Sequence, residues 1–175
     1  MASRILLAAL TGCLVSQPAL AQFGTGCVTR AEAEDMATFV LPSLVKAIAR
    51  QCASSLPPTA ALSQSATLIA ARYQPQSELA WGSAARAIDK MMGLPVADSL
   101  GAERATALLA PILTRELGKA IKPADCDPAN RLIDALQPLP ARNVASIMMV
   151  IVEAGNARKP ASLPIKLCPQ QVASQ

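Results

Sequence analysis

Alanine fills 35 of the 175 positions, whereas the whole chain holds two Phe, one Tyr and one Trp. Alanine has the highest helix propensity of any residue, and a strand needs β-branched and aromatic side chains to cover a pleated surface. No stretch alternates polar and apolar residues between turn signals as a half-buried strand does. The chain is therefore expected to be all-α. With 52% hydrophobic and 16% charged residues it is too apolar for intrinsic disorder.

The first residues read as an address. Arg4 supplies a positive n-region, Ile5 to Val15 a short apolar run, and Ala19-x-Ala21 the small-residue pattern of a signal-peptidase site. A bilayer span needs roughly 20 apolar residues, so this run is too short to cross one. The expectation is a signal peptide over 1–21, a single helical domain over 22–175, and a periplasmic or extracellular location. No transmembrane helix is expected in the mature chain. A competing pattern, Leu10-Thr11-Gly12-Cys13, resembles a bacterial lipobox and would anchor a lipoprotein at Cys13. Removal of Arg4 lowers the formal charge from +4 to +3, too mild a surplus to point to nucleic acid.

Helix signals recur through the remainder. Thr29-Arg30-Ala31-Glu32 is a capping box, and the apolar series Met36, Val40, Leu44, Ile48, Cys52 places one helix from there to about Cys52, kinked at Pro42. After the Pro57-Pro58 loop a short helix is predicted over Ser65 to Tyr73. Pro75 then opens another, capped by Gly93. Ala102 to about Ile121 is a helix bent at Pro111. Asp127-Pro128 starts the next, which ends before Pro138. Ala141 to Ala154 is apolar nearly all round and is expected at the centre of the bundle, stopped by Gly155 and followed by an extended tail over about 156–175. The predicted architecture is a small disulfide-braced bundle of about five or six helices without a sheet.

Cys27, Cys52, Cys126 and Cys168 contain no Cys-x-x-Cys spacing, and in an exported chain four cysteines read as two disulfides. A straight helix between Cys27 and Cys52 separates its ends by about 30 Å, whereas bridged Cα atoms lie within about 7 Å. Cys27 and Cys52 are thus expected to pair with Cys126 and Cys168, in either combination. A Cys126–Cys168 bridge is the local competitor.

The chain has no histidine, the commonest general base and zinc ligand. There is no Gly-x-Ser-x-Gly and no Ser-x-x-Lys. The carboxylate pairs Glu32 with Asp35 and Asp125 with Asp127 sit at predicted helix starts, where caps and the helix dipole account for them. Asp89, Asp134 and Glu153 remain as acids that burial might tune for a carboxylate-dependent enzyme. Asp125, Asp127 and Asp134 do not follow the spacing of a calcium loop. No cofactor or metal is expected. Tyr73 and Trp81 flank Pro75, and the pairs Met91-Met92 and Met148-Met149 supply adaptable apolar surface. Arg115, Lys119 and Lys122 fall at i, i+4 and i+7, a basic helical face suited to an envelope protein or an anionic envelope component. The expected function is a non-enzymatic interaction or structural module of the bacterial envelope. A small bundle binding an apolar ligand or lipid is the alternative.

Overall fold

The computed structural model describes residues 26–93, 95, 97–158 and 167–168. The signal-peptide and lipobox readings lie outside these residues, as does the tail beyond 158 except for Leu167 and Cys168. Five α-helices follow one another: α1 Arg30–Cys52, α2 Ala61–Met92, α3 Ala97–Ala120, α4 Cys126–Leu136 and α5 Ala141–Arg158, with a 3₁₀ turn Pro123–Asp125 ahead of α4. Among the described residues there is no strand. One isolated parallel bridge joins Val28 to Leu167. None of these helices is long and apolar enough to cross a membrane.

The α1 start follows the predicted capping box. The Thr29 hydroxyl accepts from the Glu32 N–H at 3.2 Å, and the Glu32 carboxylate accepts from the Thr29 N–H at 2.9 Å. α2 differs from expectation. It runs unbroken through Pro75, so the two predicted helices are one of 32 residues. An interior proline leaves the carbonyl four residues back without its donor. Ala71 and Pro75 are both exposed, so water can serve that carbonyl. Gly93 ends α2 as predicted, at φ 69° with its N–H on the Asp89 carbonyl. α3 begins five residues early, but its backbone breaks at Gly101 (φ 72°, ψ 157°), immediately before the predicted start. α4 starts at Cys126, with Asp125 in the cap position instead of Asp127. α5 continues past Gly155 to Arg158, so the tail begins later than expected.

Small side chains let the helices approach closely. Ala33 and Ala87 share one cluster with Val28 and Met149, and Ala80, Ala84 and Ala105 surround Phe39 in another. The largest cluster joins Leu41 and Val45 of α1, Leu62, Ile69 and Tyr73 of α2, and Ala141 and Val144 of α5, with Ile133 and Leu136 of α4 packed on it. α1 is the hub, touching α2, α3, α4 and α5. The central place expected for α5 is therefore wrong. α5 turns Ala141, Val144, Ala145 and Met149 inward and leaves Val150 and Ile151 52% and 58% exposed. Apolar residues round a helix do not by themselves supply neighbours on every side. α1, whose inner positions include Ala33, Thr38 and Ala47, accepts more of them.

Two bridges brace the bundle. Cys27 pairs with Cys168 (Cα–Cα 4.8 Å) and Cys52 with Cys126 (5.5 Å). This is one of the two cross-pairings that helix length allowed.

Candidate binding cleft

The chain leaves α1 by a tight turn. The Cys52 carbonyl accepts from the Ser55 and Leu56 N–H groups at 3.0 and 3.1 Å, and Pro57-Pro58 prevents the helix from continuing. α2 then begins at Ala61 without a side-chain cap of its own. Its Leu62 N–H is satisfied from α4, by the Asn130 Oδ1 at 2.9 Å, and the Cys52–Cys126 bridge holds α4 against this corner. Between the last turns of α1 and the first turns of α2 lies a cleft of about 590 Å³. Lys46 and Arg50 stand on its α1 side and Ser63 and Thr67 on its α2 side. The floor is apolar: Leu62 is 1% exposed and Ala66 8%, with Ala49 and Leu56 part-buried beside them.

No carboxylate lines this cleft. Neither Lys46 nor Arg50 forms an ion pair with a described residue. Arg50 donates to the Thr114 hydroxyl of α3 at 2.8 Å. The first turn of α2 also lacks an acid, so the positive end of that helix adds to the same field. The site was missed in reading the sequence, although a signal was there: residues 36–77 contain no Asp or Glu.

The residues singled out from sequence fall elsewhere. Arg115 and Lys119 are 71% and 65% exposed on α3, but both bind Glu116, at 3.1 and 2.9 Å. Hydrogen bonds from Lys119, then Arg115, hold the Glu116 carboxyl below its ordinary value. Lys122 lies beyond the α3 end at Ala120, so the three cations do not share one helical face. The helix stops just before Pro123, and extended backbone is what the residue before a proline favours.

The candidate acids are engaged locally. Glu32 completes the α1 cap and meets Lys90 at 2.6 Å. Burial pushes its carboxyl up, but hydrogen bonds from Lys90 and Thr29 outweigh this and hold it below the usual range. Asp35 meets Arg142 and Glu153 meets Arg30, each at 2.6 Å. Asp89 accepts from the Ala97 N–H at 2.7 Å, Asp125 from the Lys122 N–H at 2.9 Å and Asp134 from Gln137 at 3.2 Å, while Asp127 pairs with Arg131 at 3.3 Å. Among the described residues no group of three His, Cys, Asp or Glu stands close enough to hold a metal ion.

Tyr73 and Trp81 do not form one corner, because no turn separates them. Tyr73 is 3% exposed in the main cluster and donates to the Leu136 carbonyl at 3.2 Å. Burial raises its pKa. Trp81 stacks on Phe39 with ring centroids 4.7 Å apart. Met91, Met148 and Met149 pack in the core, and Met92 is 48% exposed. No family model, curated protein or solved structure matches this chain.

Proposed function

We propose that this protein is an exported, non-enzymatic binding module of the bacterial cell envelope, and that the cleft between α1 and α2 is where it meets an anionic component. The observation that carries the reading is the pair Lys46 and Arg50 beside a cleft without a carboxylate. An unpaired cation keeps its field for an incoming anion, whereas one already paired must first give up a partner. The acids that an enzyme reading would need are spent in caps and ion pairs. Export is supported by the order of Arg4, the apolar run and Ala19-x-Ala21, and by four cysteines at bridging distance, which suits an oxidising compartment.

The test uses the protein as its host processes it. Its measured mass is expected to correspond to a chain beginning at Gln22; a chain beginning at Met1, or one lipidated at Cys13, rejects this processing. Immobilised protein is expected to retain an anionic envelope component that the Lys46→Glu/Arg50→Glu variant does not. The Arg115→Glu/Lys119→Glu variant, whose cations share Glu116, is expected to retain it. Equal retention by the wild type and the Lys46/Arg50 variant rejects the cleft as the contact.

A further inference from the structure

Resting on that reading, we infer that the cleft takes a single-chain anionic amphiphile, with its carboxylate or phosphate head between Lys46 and Arg50 and its hydrocarbon chain along Leu56, Leu62 and Ala66. Three features converge on this ligand class. Lys46 and Arg50 are one helical turn apart on α1, so both ammonium and guanidinium can reach one head group. Arg50 offers a planar donor fork and Lys46 a mobile point charge, a combination that serves carboxylate and phosphate alike.

The floor beneath them is continuous with the main core, since Leu62 and Ala66 belong to it and Ala49 and Leu56 pack on it. A bare inorganic anion gains nothing from such a floor. An alkyl chain does, by roughly fourfold in affinity for each methylene fully buried. The volume of about 590 Å³ falls within the roughly 300–1,000 Å³ usual for small-molecule sites. α1 and α2 are direct neighbours, and two packed helices leave a furrow about one row of side chains wide. That width accepts one chain, not the two of a phospholipid. The hydroxyls of Ser63 and Thr67, on the opposite wall, are placed to donate to the head group.

Calorimetry on the processed protein, with monomeric laurate below its micelle concentration, decides the matter. Laurate is expected to bind, octanoate at least about tenfold more weakly and inorganic phosphate more weakly still. Dodecyl phosphate in place of laurate reports which head group is preferred. Lys46→Ala/Arg50→Ala is expected to weaken laurate about tenfold or more with an unchanged melting curve. Thr67→Trp, at an exposed rim position that tolerates a large residue, is expected to obstruct the chain and lower affinity while laurate's head partners stay intact. Octanoate or phosphate binding as tightly as laurate overturns the amphiphile while leaving an anion site, and so the function proposed above. Binding to phosphatidylglycerol vesicles without binding of monomeric laurate also overturns it, since the contact is then a membrane surface. Laurate binding untouched by both variants places the ligand elsewhere and overturns the site. An envelope component retained through Lys46 and Arg50, with no laurate binding, discards the inference and keeps the binding module. Failure of both retention and laurate binding discards the two together.

Discussion

At the Arg30 end of α1, cations and carboxylates are matched: Arg30 with Glu34 and Glu153, Lys90 with Glu32, and Arg142 with Asp35. At the Cys52 end the pattern is reversed. Lys46 and Arg50 have no acid beside them, and the helix that begins next to them brings another positive pole. Both ends carry a disulfide, so bracing alone does not distinguish them. What differs is whether charge is used internally. Matched charge fixes helix ends and the arm at Val28, whereas unmatched charge contributes little to folding and stays available to a ligand.

The largest effect expected from breaking this comparison is at the Cys52 end, where stability and binding should separate. Removing its bridge with Cys52→Ala/Cys126→Ala should lower unfolding free energy by about 2–5 kcal/mol, because a loop of this size is no longer closed in the unfolded chain. Denaturant titration measures it. An unchanged midpoint would mean that α4 holds its corner without the bond.

A smaller loss is expected at the other end. Thr29→Ala removes the side-chain half of the α1 capping box and should cost about 1 kcal/mol, read in the same titration. The acid limb of the stability profile sharpens the contrast. The Glu32 carboxyl sits below its ordinary value in the folded protein. Its contribution is therefore full above the unfolded-chain pKa and is lost as pH falls through the lowered folded value. Glu32→Gln should flatten that part of the pH dependence of the melting temperature. An identical acid slope in the two proteins would show that Glu32 is not among the groups that set it.

The smallest stability effect belongs to the cleft. Lys46→Ala/Arg50→Ala should change unfolding free energy by no more than about 0.5 kcal/mol, as for ordinary surface positions. A loss several times larger would show that these cations are structural and that the two ends are more alike than their ion pairs indicate.

Local rules were readable in the sequence wherever the partners were close in the chain. Thr29 and Glu32 are three residues apart, and Gly93 needs only its own left-handed conformation. Helix length alone excluded a Cys27–Cys52 bridge. Pro75 was not readable, because the same residue marks a helix start or an exposed interior turn. The difference depends on whether the Ala71 carbonyl reaches water, which only packing decides. The position of α5 was lost for a related reason: periodicity reports which side chains are apolar, not how many neighbours exist to cover them. The cleft lay furthest from view. It depends on Asn130 reaching Leu62 across 68 residues and on the Cys52–Cys126 link. The acid-free run over 36–77 marked the charge, but not the apolar floor beneath it.

The two bridges are nested, one spanning 52 to 126 inside the other spanning 27 to 168. With both formed, the polypeptide is a ring within a ring. A protease that cuts once between Cys52 and Cys126 leaves fragments tied twice, and one that cuts elsewhere between Cys27 and Cys168 leaves them tied once. Either way, no piece of the bundle can diffuse away after a single scission, and the cut ends stay close enough for the core to remain assembled. In a compartment where damaged proteins are not resynthesised on site, such a molecule can be nicked and still persist as one body until a reductant opens the outer ring.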